Sequence, residues 1–286
     1  MTDENLPRPA FKLPIPSTNG GSPPRTGEFP TASERLWRLA SLPLLLFFAI
    51  PIIALFLRIS PLDWWQSLHE ESLLNAVRVS LTSSLISLAV IVITGTPLAY
   101  LISRPRFRFK NIIDTIVDLP TVLPPSVAGV ALLITLGRQG LLGQWLSVLG
   151  IQLPFTLTAV IIAQVFIAAP FFVRSAAVGF SAVDDEIVQA AQLDGANRFE
   201  LMRYIYLPLA QTAVISGGVM SWSRALGEFG ATILFAGNFP GRTQTMPMAI
   251  YLGFEVDLNL ALTLSVILVS ISFIALLLVK RLVQSR

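Results

Sequence analysis

The sequence predicts an all-α integral membrane protein with about six transmembrane helices, and three observations carry that expectation. Its 286 residues are 53% hydrophobic and 13% charged, with a mean hydropathy of +0.70, too apolar for a single water-soluble domain. Apolar runs of spanning length recur along the chain. The basic residues gather on alternate sides of those runs.

Residues 1–33 read as a cytoplasmic tail without ordered structure. Pro7, Pro9, Pro14, Pro16, Pro23, Pro24 and Pro30 punctuate it, Gly20, Gly21 and Ser22 loosen it, and no apolar periodicity appears. Its acidic residues Asp3, Glu4 and Glu28 argue against a transit peptide. Residues 34–286 are then one transmembrane domain. Its first span, 39–57, carries no charge. At 1.5 Å per residue it reaches ~28 Å, close to the ~30 Å hydrocarbon core of a bilayer. It does not read as a signal peptide, because it starts nearly forty residues in, behind the Pro-rich tail, and no small-residue cleavage site follows Leu57.

Five more spans follow, over 76–102, 112–136, 154–173, 209–237 and 258–279. Helices are the expected form, since backbone hydrogen bonds must be closed within the segment in lipid. Pro120, Pro124 and Pro125 predict a kink in the third span, beside Ser126. A kink of this kind either lines a pathway or serves packing. Gly217 and Gly218 in the fifth span permit close helix contact, with packing or gating as the two readings. Arg224 and Glu228 are four residues apart, hence on one face of that span. They form either a neutralising pair or a charged part of a path, and Glu228 reads as the one carboxylate deep in a span. Residues 246–254 are apolar but too short to cross, which predicts a short periplasmic or re-entrant helix.

Charge sets the topology. With the N-terminus inside, the cytoplasmic side collects Arg8, Lys12, Arg25, Arg35 and Arg38, then Arg104, Arg106, Arg108 and Lys110. It also collects Arg174, Arg198 and Arg203 between the fourth and fifth spans, and Lys280, Arg281 and Arg286 at the end. Only Arg58, Arg138 and Arg242 fall outside, with Arg78 and Arg224 inside spans. Both termini are expected in the cytoplasm. The same bias accounts for the net charge of +3 and the pI of 9.6 without a nucleic-acid partner.

Between the fourth and fifth spans lies a polar island, 179–208. Ser181 with Asp184 three residues on matches a helix start, and Asp184, Asp185 and Glu186 complement its positive end. Ile187, Val188, Ala190, Ala191 and Leu193 supply an apolar face of small residues. Gly195 ends that helix; Asn197 with Glu200 starts a second, running to Pro208. The Ala-Ala-x-x-x-Gly surface is low enough for a partner's groove to approach the backbone. The plain alternative is a helical hairpin with no partner.

Catalytic chemistry has little to stand on. There is no cysteine, and His69 is the one histidine. Lys12, Lys110 and Lys280 follow Phe11, Phe109 and Val279, so no phosphate-binding G-K-[ST] loop exists. The H-E-x-x-H and G-x-S-x-G patterns are absent as well. Neither an enzyme nor a cofactor is expected.

The stretch 189–208, Q-A-A-Q-L-D-G-A-N-R-F-E-L-M-R-Y-I-Y-L-P, resembles the E-A-A loop of the permease subunits of ABC importers. The spacing matches throughout, and Gln189 stands where that family usually has Glu. The resemblance implies that Gln189, Ala190, Ala191, Gly195, Leu207 and Pro208 dock an ABC ATPase subunit. Residues 223–251, S-R-A-L-G-E-F-G-A-T-I-L-F-A-G-N-F-P-G-R-T-Q-T-M-P-M-A-I-Y, are similar to the molybdate branch of that family, as are residues 118–143. Together with the loop, the likeness covers most of 76–280. It implies a prokaryotic inner-membrane permease for molybdate, or tungstate. The implied partners are an ATPase pair, a periplasmic or lipid-anchored molybdate-binding protein, and a second permease copy in a homodimer. The implied translocation path runs by Arg224, Glu228, Pro124, Pro125 and Ser126. A sulfate-type permease is the near alternative; a self-sufficient secondary transporter or channel and a membrane assembly factor are the distant ones.

Overall fold

The computed structural model describes residues 32–104 and 109–284. The expected tail lies outside them apart from Ala32 and Ser33, and so do Arg106 and Arg108 of the basic loop. Among the described residues every regular element is a helix. The chain divides into two units, one through Pro51 and one from Ile52 onward. The first contains the body of α1 (Ala32–Arg58), which continues through Pro43 and Pro51.

The second unit begins with α2 (Pro61–Ser67), capped by the Ser60 hydroxyl, and α3 (Glu71–Ser103). At 33 residues α3 is ~50 Å long, so it outruns the bilayer core. Next come α4 (Lys110–Val122), α5 (Pro125–Leu136) and the short α6 (Gly143–Val148). The long α7 (Leu157–Ser181) leads into the polar island: α8 (Asp185–Leu193), α9 (Arg198–Leu201), a π-helical turn (Met202–Tyr206) and α10 (Leu207–Leu209). The chain finishes with α11 (Gln211–Leu226), α12 (Gly230–Ala236), α13 (Met246–Val256) and α14 (Leu258–Gln284).

Four of the six expected spans are continuous helices long and apolar enough to cross a membrane: Leu36–Arg58, Glu71–Ser103, Leu157–Ser181 and Leu258–Arg281. The other two are broken. The third expected span is the pair α4 and α5, bent by 116°. Its cause is Leu123-Pro124-Pro125: two successive prolines remove two donors, and Leu123 and Pro124 take extended ψ values of 135° and 134°. A mere kink was expected; an elbow is found. The fifth is also not one helix, since α11 stops at Leu226 and α12 restarts at Gly230. Residues 246–254 form the short helix expected of them, as α13.

The core lies where α3, α7 and α11 meet, and small polar side chains hold it. Ser80, Ser83, Ser84, Ser87 and Gly95 form one buried stripe of α3. The Ser87 hydroxyl donates to Gln164 Oε1 at 2.9 Å, and Gln164 Nε2 donates to Ser83 Oγ at 3.1 Å. Trp222 Nε1 donates to Ser84 Oγ at 3.0 Å, and Ser221 Oγ donates to the Ala168 carbonyl at 2.8 Å. Apolar burial discriminates poorly between protein and lipid tails, so close backbones and interhelical hydrogen bonds decide which faces pair. Gly217 belongs to this packing: a Cβ there would sit 2.7 Å from Ser175 Cβ. Gly218 has more room, with Leu88 Cδ1 3.9 Å from the same point. Opposite faces carry large exposed residues such as Leu85 and Ile93, suited to lipid.

Candidate functional site

Two assemblies concentrate the polar chemistry. The first is the island 179–208. Its opening helix starts differently from the expectation: Ser181 closes α7 and donates to the Val178 carbonyl, and Asp184 is the cap, accepting from the Glu186 N–H at 2.9 Å. The end of α8 is as expected. Gly195 has φ +90°, its N–H donates to the Gln192 carbonyl at 3.1 Å, and the Ala196 N–H donates to Ala191 at 2.9 Å. This double closure needs a left-handed residue after the cap, and glycine takes that conformation without strain. Asn197 and Glu200 form a reciprocal capping box on α9.

Beyond α9 the chain makes a π turn rather than a plain helix. The Leu207 N–H reaches back to the Met202 carbonyl across Met202–Tyr206. Pro208 has no N–H and would press on the Tyr204 carbonyl in an α-helix; widening the turn relieves that contact. The turn also aims Tyr206 inward, where it is 1% exposed. There it joins Tyr100 and Phe180 in edge-to-face contact, with centroids 5.1 and 6.2 Å away. The Arg104 guanidinium lies over both tyrosines, 4.7 Å from the Tyr100 ring and 4.6 Å from the Tyr206 ring, and donates to the Tyr206 hydroxyl. A long contact of 3.9 Å joins it to Asp185, which is exposed and contributes little. Arg104 thus ties the end of α3 to both halves of the island. Sequence reasoning missed this tie; the spacing of Tyr100 and Arg104 at i, i+4 hints at half of it.

Of the six docking residues inferred from sequence, Gln189, Ala190, Gly195 and Pro208 are exposed, while Ala191 and Leu207 are half-buried against the core. Around them Ile187, Leu193, Phe199 and Tyr204 are exposed, Leu193 by 89%. Large apolar residues exposed on an otherwise polar island suit contact with another protein.

The second assembly is the meeting of the two broken spans. A Cβ built on Gly230 would lie 2.8 Å from Pro125 Cβ and 3.4 Å from Ser126 N. One built on Gly129 would lie 2.8 Å from the Ala231 carbonyl oxygen. The elbow and the break are therefore in backbone contact, and only glycine allows it. Pro124, Pro125 and Ser126 nevertheless remain exposed.

Arg224 and Glu228 are at this break, which corrects the placement of both on one continuous helix. Arg224 is in the last turn of α11, near its negative end, and Glu228 lies in the connection. Arg224 Nη1 donates to Glu228 Oε2 at 2.6 Å, and the Ala231 N–H donates to Oε1 at 2.9 Å. One carboxylate thus neutralises the arginine and caps the restarting helix. Glu228 is 1% exposed and Arg224 31%. Ser223 Oγ and Thr232 Oγ1, on either side of the break, are buried without a partner among the described residues. Non-helical backbone at membrane depth is tolerated where it is buried in protein or lines a water-filled path.

Glu228 is not the one carboxylate within a span, and Arg174 is not in a loop. Arg174 lies inside α7 and holds two aspartates of α4: Nε donates to Asp118 Oδ1 at 2.6 Å and Nη1 to Asp114 Oδ1 at 2.9 Å. Sequence reading missed this cluster because its partners are about sixty residues away. Arg174→Gln should destabilise the protein by about 1–3 kcal/mol, since two half-buried carboxylates lose their partner. Thermal unfolding in detergent, with Asp114→Asn and the double variant completing a cycle, reads the coupling. Additive single effects would show that the cluster carries no interaction.

Residues 91–286 match the family described as the binding-protein-dependent transport system inner membrane component. A protein of Clostridium pasteurianum named a probable transport system permease protein, NifC, is 39% identical over 216 residues, 75% of this chain and 76% of its own. The molybdenum transport system permease protein ModB of Mycobacterium tuberculosis is 36% identical over 245 residues, 85% of this chain and 92% of its own. Among solved structures, a bacterial ABC transporter involved in alginate import superposes with a TM-score of 0.69 over 88% of this chain and 96% of its own, at 19% identity. That last likeness speaks for the fold alone.

Proposed function

Since the chain belongs to the family of binding-protein-dependent transport system inner membrane components, and is thus a multi-pass permease subunit of an ABC importer, we propose that its cargo is molybdate. The observation that carries this reading is the nearly full-length match to ModB, 36% identical over 92% of that protein. The permease performs no catalysis of its own; ATP hydrolysis belongs to partner chains.

Two copies form the path, an ATPase pair docks on the two islands 179–208, and a periplasmic or lipid-anchored molybdate-binding protein delivers the anion on the other side. The termini face the cytoplasm. Gln189, Ala190, Ala191, Gly195, Leu207 and Pro208 meet the ATPase groove, aided by exposed Leu193 and Phe199. Closure of the ATPases on nucleotide draws the islands together. The tie from Arg104 to Tyr206 passes that displacement to α3, and the core of α3, α7 and α11 passes it on. The elbow and the break, already discontinuous, move as the gate. The island is then a two-state element biased by nucleotide, which coupling requires.

The test is uptake by vesicles holding the permease, the ATPase and the binding protein. Molybdate should be taken up with ATP inside, and a tenfold excess of unlabelled molybdate should compete better than the same excess of sulfate. Preference for sulfate moves the reading to the sulfate-type permease. Uptake driven by an ion gradient without ATP removes it altogether.

A further inference from the structure

At the end of α3 opposite Arg104, two arginines have no part in the docking surface or the gate. Arg78 lies seven residues into α3, about 10 Å along the helix. Asn75 and Thr82 share its face at helical spacing. Arg242 comes from the segment between α12 and α13. These four, with Gly241 and Leu157, line one cavity of about 370 Å³.

By contrast, Arg174 of α7 and Arg224 of α11 are neutralised by carboxylates. None of the ion pairs among the described residues includes Arg78 or Arg242. Two arginines lining one cavity bring like charges together, and the cost of their repulsion is recovered when an anion sits between them. Arg78 alone could be explained by a long side chain reaching toward the interface. That explanation does not account for a second arginine brought to the same cavity.

The segment that carries Arg242 is set rigidly. The Phe239 carbonyl accepts from the N–H groups of Arg242, Thr243 and Gln244 at 3.1, 2.9 and 3.0 Å. The Phe239 N–H donates to Thr243 Oγ1 at 3.0 Å, and the Met246 N–H donates to Ser80 Oγ of α3 at 2.6 Å. Gly241 takes φ +71°, which lets the chain turn there. A Cβ on it would lie 3.7 Å from Asn75 Nδ2, so the segment already touches α3 beside Arg78. Such preorganisation avoids the cost of ordering a loop on binding.

We propose that this cavity is a binding site for a tetrahedral oxyanion dianion at the outer mouth of the permease, occupied between release from the binding protein and passage to the gate. The proposal rests on the oxyanion-importer reading above. Two forks of donors, both on exposed arginines, suit a ligand with several acceptor oxygens and two charges. Asn75 and Thr82 add neutral donors. A cavity of about 370 Å³ holds a hydrated oxyanion easily, against a water's share of ~30 Å³.

The experiment compares the parent with Arg78→Gln/Arg242→Gln and Arg78→Lys/Arg242→Lys in vesicles with ATPase and binding protein. The radiolabelled anion is whichever of molybdate and sulfate the parent carries. Failure of the molybdate reading is thus seen in the parent, before any variant is judged. Uptake by the Gln variant should fall about tenfold, with binding-protein-stimulated ATP hydrolysis within about twofold of the parent, because the cycle runs while the anion is poorly held. The Lys variant should retain most uptake, since charge is kept and only the fork geometry is lost. Unchanged uptake by the Gln variant overturns the site. Loss of stimulated hydrolysis together with weaker capture of the anion-free binding protein also overturns it, assigning the arginines to protein docking.

Discussion

Gly195→Trp is expected to cut binding-protein-stimulated uptake and ATP hydrolysis together by about tenfold or more, with the protein still present in the membrane. The space beyond Gly195 is open: a Cβ there would meet no atom within 4 Å. Conflict at the first side-chain atom is therefore excluded as the cause. Two causes remain, the positive φ and a partner pressed against the helix end. Asn separates them, because it tolerates the left-handed conformation and is small. Gly195→Asn should keep uptake within about twofold of the parent if bulk at the docking face is what matters. Normal uptake with Trp would remove the docking role from this helix end. Equal loss with Asn and Trp would assign the effect to the closure of α8 instead.

Glu228 is where the second large effect is expected. Glu228→Ala removes the partner of Arg224 and the cap of α12 at once. Breaking a buried pair costs about 3–5 kcal/mol, so little folded protein should accumulate. Glu228→Gln keeps an acceptor for the Ala231 N–H but leaves Arg224 uncompensated, so it too should be harmful. The informative variant is Arg224→Gln/Glu228→Gln, which removes both charges and orphans neither. It should fold, shown by a detergent melting temperature near the parent's, and its anion uptake should fall about tenfold. That loss is what the proposed path predicts: Arg224, a third exposed, would offer charge to a passing dianion, while the fully buried Glu228 would fix it and temper its hold. Full uptake by a well-folded double variant would leave the pair a structural neutralisation and retire its place in the path.

How much of the molecule was legible from sequence depends on the range of the forces involved. Helix closure at Gly195 and the start at Asn197 with Glu200 are decided within four residues, and both stand as expected. The cap at Asp184 rather than Ser181 shows the limit even there, because α7 runs on through Ser181 before the island begins. The elbow was half legible: Pro124 and Pro125 announce a disturbance, but neither its 116° nor the packing of α12 against it can be read from them. The break after Leu226 has no proline to mark it. There Glu228 takes the Ala231 N–H and Arg224 together, an arrangement that a hydropathy window reads as one continuous span.

The sequence by itself determined the class, an apolar all-helical membrane chain, and the polar island whose spacing resembles that of an importer permease. Those properties reside in composition and in local order, and lipid imposes helices on any apolar run of that length. Only the tertiary structure decided which helix faces meet, how Arg174 gathers Asp114 and Asp118, how Arg104 seats Tyr206, and that Arg78 and Arg242 share one cavity. In lipid the hydrophobic effect does not rank one apolar face above another. The choice falls to small residues, interhelical hydrogen bonds and paired charges, whose partners lie tens to hundreds of residues apart.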